Sequence, residues 1–117
     1  MTDQLALYVD DDAEKRNPPH IPGFKWMRAY NFHQAIVMLE THDFDLISLD
    51  HDIASWYGSK EMTGRDILNY LIERKETAGL FKTLIVRVHT ANPVGRATML
   101  ADAKRYFCTL QLPGERN

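Results

Sequence analysis

Aspartate and histidine residues stand at three points of the sequence, each directly after a short apolar segment. These residues are Asp10, Asp11, Asp50, His51, Asp52 and His89. Carboxylates bind divalent cations through oxygen, and imidazoles bind transition metals or exchange protons near neutral pH. The residue types therefore suit metal-assisted chemistry, provided that the fold brings the three points together.

The carboxylates favour a cation site. If the first two points are neighbours in the fold, three or four negative charges converge, and a bound cation is the economical way to balance them. We expect Asp10, Asp11, Asp50 and Asp52 to hold a divalent metal, with Mg²⁺ or Mn²⁺ as the expected ion. The alternative is that some of these carboxylates are simply solvated in turns, an explanation that fits Asp12 best.

The two histidines beside these carboxylates are candidates for proton transfer. We expect His51 and His89 to serve as general acid and base, although the sequence does not decide which is the acid. Asp50 is a third catalytic candidate, because an aspartate beside a metal can also act as a covalent nucleophile. A lone histidine is more often a packing or capping residue, and the carboxylate context is what favours a functional role here.

A candidate phosphate site follows His89. Asn92 and Pro93 predict the start of a helix, whose free N–H groups bind anions. Thr90 adds a hydroxyl and Arg96 a guanidinium, and a cation in the first turn of a helix is disfavoured unless an anion balances it. We therefore expect Thr90, Asn92 and Arg96 to bind phosphate, with a routine helix cap as the alternative.

Hydrophobic patterning predicts the elements that position these residues. Strands are predicted at residues 5–9, 26–30, 44–49 and 83–88, with a short last strand within 107–112. Helices are predicted from Asn31 to about His42, over 65–75 with Gly79 as a stop signal, and from Asn92 to about Arg105. Residues 13–25 and 53–62 are predicted to be loops.

Strands that alternate with helices predict an α/β fold with a mainly parallel sheet. In such sheets ligands bind beyond the carboxyl ends of the strands, and the three clearest strands here all end in polar residues. A chain of 117 residues with 44% hydrophobic composition is expected to form a single domain over residues 1–117.

Composition narrows the possible partners and setting. There are 16 acidic and 14 basic residues, giving a formal charge of -2, so generic binding to duplex DNA is not expected. No apolar run approaches the length that spans a bilayer, and no signal peptide is recognisable. With Cys108 as the single cysteine, a reducing cytoplasm is the expected location.

The pattern resembles two-component receiver domains. Asp10 and Asp11 match their metal-binding acidic pair, Asp50 their phospho-accepting position and Thr90 their hydroxyl position. This resemblance implies a three-layer, receiver-like (flavodoxin-like) fold. The chain departs from it in two ways, since Leu112 stands where receivers carry a lysine before a proline, and a proline-rich segment replaces the usual first helix.

A closer resemblance is to the cyclic-phosphate processing receiver domains. It rests on the segments Leu7-Tyr8-Val9-Asp10-Asp11, Ser48-Leu49-Asp50-His51-Asp52 and Val88-His89-Thr90-Ala91-Asn92-Pro93-Val94-Gly95-Arg96. The resemblance implies a metal-assisted phosphoesterase acting on a cyclic phosphate or cyclic nucleotide, carried by a small molecule or a nucleic-acid terminus. Two alternatives stay open: a non-enzymatic module that sequesters a nucleotide or a partner protein, and a receiver phosphorylated on Asp50.

Overall fold

The structure, a computed structural model, describes residues 3–12 and 17–112. Its strands are β1 (Gln4–Val9), β2 (Phe24–Ala29), β3 (Leu46–Leu49), β4 (Ser55–Tyr57), β5 (Lys60–Met62), β6 (Ile85–Val88) and β7 (Cys108–Thr109). Its helices are α1 (Phe32–Thr41), α2 (Gly64–Ala78) and α3 (Pro93–Tyr106). None of these helices combines the length and the apolarity needed to cross a membrane.

The main sheet is a five-stranded parallel sheet in the order β2-β1-β3-β6-β7. The predicted α/β, receiver-like fold with a mainly parallel sheet is therefore confirmed. The described residues between β1 and β2 form no helix, which agrees with the predicted loss of the first receiver helix.

Helix boundaries follow the capping residues that the sequence offers. The Asn31 and Asn92 side chains each accept a backbone N–H in the first turn of α1 and α3. Thr63 and Asp66 form a reciprocal capping box at the start of α2, and Gly79 ends that helix in the left-handed conformation at φ 68°. These local signals fix where each helix enters and leaves the sheet.

One face of the sheet carries the apolar core. The strand side chains in this core are Leu7, Val9, Ile47, Leu49, Val86 and Val88. The helix side chains packed with them come from α1, α2 and α3, and are Ala35, Leu39, Ile67, Leu68, Leu71, Met99 and Ala103. All three helices therefore pack on the same face, and in the described residues the other face of the expected three-layer arrangement carries irregular chain and no helix.

Irregular chain lies against the opposite face. Trp26 points to that face, packs edge-on against Tyr8 and donates its indole N–H to the carbonyl of Pro19 at 2.8 Å. Arg28 reaches Asn17 in the same segment at 3.4 Å. Of the residues between β1 and β2, the described ones from Asn17 to Pro19 therefore contact the face opposite the helices.

The prediction that residues 53–62 form a loop is wrong. They contain an antiparallel hairpin, β4 and β5, which turns at Gly58 and is attached to α1 because the Phe32 N–H donates to the Ser55 hydroxyl at 3.2 Å. The signal was present in the sequence, since an aromatic pair followed by Gly-Ser is typical of a two-residue hairpin turn. The short strands were missed because they lack a clear alternation of apolar and polar residues.

Candidate functional site

The carboxyl ends of the three central strands are aligned. The last residues of β1, β3 and β6 are partners across the sheet, so Asp10, Asp50 and His89, which follow them, stand side by side. Their backbone N–H groups continue the ladder and donate to the last carbonyl of the neighbouring strand at 2.8–3.1 Å. Ladder hydrogen bonds therefore hold all three residues in register.

Asp10, Asp50 and His89 form a buried group suited to a metal ion. Each offers a ligand atom, and these atoms lie within 4.8 Å of one another. Asp10 is 1% exposed, Asp50 5% and His89 9%. Two carboxylates this close and this far from water need a nearby positive charge, and hard divalent cations prefer such oxygen ligands. The two carboxylates of this group therefore fit the predicted divalent cation.

Hydrogen bonds engage both ring nitrogens of His89. Nε2 lies 3.1 Å from Oδ2 of Asp10, and Nδ1 lies 2.7 Å from the Ser48 hydroxyl. Arg87 donates to that same hydroxyl at 2.8 Å. The imidazole also stacks on Tyr8, with ring centroids 4.3 Å apart and planes 5° from parallel. His89 is thus held on its edges and on one face.

Sequence reasoning missed three residues of this network: Tyr8, Ser48 and Arg87. Ser48 and Arg87 are cross-strand partners, and Ser48 also pairs with Tyr8. Ser48 is fully buried and Arg87 is 8% exposed. The available signal was a hydroxyl and a guanidinium inside otherwise apolar central strands, because buried polar side chains need hydrogen-bond partners.

A cavity of about 250 Å³ opens beside the buried group. It is lined by Asp10, Asp11, Asp12, Asp50, Asp52, Thr90 and Ala91. Asp11 and Asp52 are exposed at its edge, while the N–H of Asp12 donates to Oδ1 of Asp10 at 2.8 Å. The structure therefore brings the four predicted metal ligands and Thr90 to one cavity.

His51 lies elsewhere. It follows Asp50 directly, so its side chain points to the helix side of the sheet end, where Nδ1 contacts Oδ1 of Asp52 at 2.8 Å. A Cβ added to Gly95 of α3 would lie 2.7 Å from two ring atoms of His51. The ring thus packs closely on the start of α3, and the structure does not bring it into the group of Asp10, Asp50 and His89.

The start of α2 is just as close to this point of the chain. The Gly64 N–H donates to the His51 carbonyl at 2.8 Å, and a Cβ on Gly64 would lie 1.7 Å from the Asp50 carbonyl oxygen. Only glycine allows this approach. The first residues of α2 and α3 therefore pack against the chain where it leaves β3, and these contacts fix the position of Asp50.

The predicted phosphate-binding residues are separated. Thr90 lines the cavity, and its hydroxyl oxygen accepts the Asn92 N–H at 3.2 Å. The Asn92 side chain caps α3 by accepting the Gly95 N–H at 3.0 Å. Arg96 lies in a small groove between α3 and β7 and is not among the described residues that line the acidic cavity.

Comparisons with known proteins agree with this geometry. Residues 5–105 match the family model described as cyclic-phosphate processing receiver domain. No curated protein matches the chain.

Solved structures of receivers are similar over most of the chain. The receiver domain of a Francisella response regulator has 18% identity and a TM-score of 0.56, covering 92% of this chain and 84% of its own. TrrA from Thermotoga maritima, solved in complex with Mg(2+)-BeF, has 17% identity and a TM-score of 0.56, covering 94% and 89%. A CheY-like receiver domain from Methanospirillum hungatei has 16% identity and a TM-score of 0.52, covering 94% and 83%. At this identity the likeness shows a shared fold.

Proposed function

This chain belongs to the family of cyclic-phosphate processing receiver domains, and we propose that it is a metal-assisted phosphoesterase that opens a cyclic phosphate or a cyclic nucleotide. The observation that carries the proposal is the buried group of Asp10, Asp50 and His89 at the edge of the acidic cavity. It joins a receiver-type acidic site to an imidazole, which is a group that can donate or transfer protons.

Asp10 and Asp50 are the residues that we propose to hold Mg²⁺ or Mn²⁺, with Asp11 and Asp52 at the edge of the cavity. The Mg(2+)-BeF complex of the similar Thermotoga receiver supports this choice of ion. A divalent cation in this position would neutralise charge on the phosphoryl oxygens. Because the cavity is about 250 Å³, it suits a phosphate group whose nucleoside or other substituent extends into solvent.

The proposed reaction is hydrolysis of one ester bond of the ring. Water adds to phosphorus, the bond from phosphorus to one ring oxygen breaks, and the proton lost by water is balanced by the one gained by the leaving oxygen. The product is an acyclic phosphate monoester. We propose that His89 assists the reaction as a hydrogen-bond donor within the buried group and that the Thr90 hydroxyl donates to a non-bridging oxygen. The proton transfer predicted for His51 stays a proposal, and its ring packs on the start of α3 outside this group.

Asn92 and Arg96 are the other residues that we propose to bind phosphate oxygens. Asn92 already uses its side-chain oxygen in the helix cap, so its remaining contribution is the amide N–H₂ group. Arg96 lies beside Val88 and Leu100, so contact with a bound phosphate would require its long side chain to leave that groove.

A non-enzymatic binding module is the second candidate, and one observation favours it. Both nitrogens of the buried His89 are already hydrogen-bonded, as is usual for a structural histidine. In that case the acidic cavity would bind a metal with a phosphate ligand and release the ligand unchanged.

A turnover assay separates the two candidates. The protein is incubated with Mg²⁺ or Mn²⁺ and with cyclic nucleotides whose phosphate rings have five or six members, and products are followed by phosphorus NMR. We expect an acyclic monophosphate that disappears with EDTA and with Asp50→Asn. Asp43→Asn is the matched control, because Asp43 is an exposed aspartate that lines a different pocket.

The outcomes are distinct. Ligand that binds but is recovered intact supports the binding module. Neither binding nor turnover with any member of the panel would contradict both candidates for these substrates.

A further inference from the structure

We propose that Arg87 and Ser48 are positioning residues that keep a proton on Nε2 of His89. The imidazole then acts towards Asp10 as a hydrogen-bond donor, and Nε2 does not serve as a base or a metal ligand. The inference rests on the chain of contacts from Arg87 through Ser48 and His89 to Asp10.

The position of His89 depends on the small side chain at residue 48. Tyr8, Ser48 and Arg87 form a row across β1, β3 and β6, on the face away from the apolar core. His89 follows β6, and Tyr8 lies two strands away, at roughly 10 Å between the strand axes. The imidazole nevertheless stacks on Tyr8, which requires its ring to lie above β3. Serine leaves room for this, whereas a larger side chain at residue 48 would block it.

The direction of the hydrogen bonds follows from the donor groups. Arginine only donates, so the Ser48 oxygen accepts from Arg87. The single hydroxyl proton of Ser48 is then directed to Nδ1 of His89, 2.7 Å away. At the other end of the ring, the ionised carboxylate of Asp10 only accepts, so Nε2 must supply the proton between them. A neutral imidazole that carries its proton on Nε2 satisfies all three of these contacts.

The contrary tautomer conflicts with two contacts. With the proton on Nδ1, the lone pair of Nε2 would face the Asp10 carboxylate at 3.1 Å. The Ser48 oxygen would also have to accept hydrogen bonds from both Arg87 and His89. The Ser48 hydroxyl proton would then have to point away from both of these residues. Since Ser48 is fully buried and Arg87 is 8% exposed, water offers little relief for such mismatches.

The functional consequence rests on the proposed function. A protonated Nε2 can hold Asp10, through its single N–H, in the orientation required of a metal ligand. It cannot remove a proton from water. Partners that orient the groups around a metal typically affect metal affinity or activity by about 10- to 100-fold, and we expect effects of that size from Ser48 and Arg87.

Proton–nitrogen correlation NMR on the histidine-labelled chain of 117 residues tests the tautomer directly. We expect His89 to show a pyrrole-type Nε2 and a pyridine-type Nδ1, both without metal and with Mg²⁺. Ser48→Ala and Arg87→Met should weaken this preference and move both nitrogen shifts towards averaged values. Ser55→Ala is the matched control, because Ser55 is also a buried, hydrogen-bonded serine, but it contacts Phe32.

The wild-type spectrum is decisive even if a variant does not fold. A pyridine-type Nε2, with or without Mg²⁺, would overturn the proposal, as would an unchanged His89 spectrum in folded Ser48→Ala. In the turnover assay, Ser48→Ala should lower kcat by about 10-fold or more with little change in KM, while Ser55→Ala stays at the wild-type value. If the tautomer is as expected and no substrate is turned over, the positioning is supported and the proposed function fails.

Discussion

The two sides of the chain where it leaves β3 differ in their physical character. On one side, which we call the acidic side, Asp50 lies with Asp10 and His89 in a buried polar group. On the other, which we call the junction side, His51 packs between the starts of α2 and α3. Asp50 and His51 are consecutive, but consecutive residues of a strand point to opposite faces. One short motif therefore supplies two different environments.

This difference teaches that proximity in sequence is a weak guide to shared chemistry at a strand end. On the acidic side, polar side chains are buried next to a cavity, and burying such groups costs free energy. The junction side uses close packing that only glycine permits. We therefore expect substitutions on the junction side to change mainly stability, and those on the acidic side to change mainly ligand binding and turnover.

The largest effect is expected for Gly64→Ala, on the junction side. The added Cβ would lie 1.7 Å from the backbone oxygen of Asp50, so α2 or the end of β3 must move. Overpacking against backbone should lower the free energy of unfolding by about 3 kcal/mol or more, measured by urea denaturation.

Gly58→Ala is the matched control for that substitution. Gly58 has a positive φ of 63° but no atom within 4 Å of an added Cβ. It should cost about 1–2 kcal/mol from backbone strain alone. Equal losses for the two variants would contradict the proposed close contact between Gly64 and Asp50.

The same comparison shows which features the sequence could predict. The caps at Asn31 and Asn92 and the central apolar strands are local signals, and the structure confirms them. Parallel pairing then brings Asp10 and Asp50 together, because both follow strands that end at the same edge. The helix starts, the central strands and the pairing of Asp10 with Asp50 can therefore be predicted from local sequence pattern, together with the rule that parallel strands end at the same edge of a sheet.

Other features depend on long-range register. The network of Tyr8, Ser48 and Arg87 exists only because residues far apart in sequence become cross-strand partners. Likewise, the sequence treats His51 and His89 alike, whereas their separation follows from the face to which each side chain points. The hairpin of β4 and β5 was missed because strands of three residues carry too little periodicity to be distinguished from a loop.

The next largest effect is expected for His89→Ala, on the acidic side. Loss of the imidazole removes the donor that orients Asp10, and we expect turnover of a cyclic phosphate to fall by about 100-fold while the chain still folds. His51→Ala should lower turnover less than about 10-fold, because its ring pairs with the exposed Asp52 and packs on Gly95. Measured rates and circular dichroism of both variants check this, and equal losses of turnover would remove the functional distinction between the two sides.

The smallest effect is expected for Asp52→Asn, which lies at the boundary between the two sides. Asp52 lines the acidic cavity, but its side chain is 62% exposed and pairs with His51 at 2.8 Å. Water screens such a carboxylate, and an exposed pair of this kind contributes no more than about 1 kcal/mol to stability.

We therefore expect Asp52→Asn to weaken Mg²⁺ binding only a few-fold by calorimetry, whereas Asp50→Asn should abolish it, because the Asp50 carboxylate is buried beside Asp10. If both variants lose the metal equally, Asp52 is a ligand in its own right. The contact between Asp52 and His51 would then connect the junction side to the cation site. The two sides would still differ in how the chain packs, but both would contribute to metal binding.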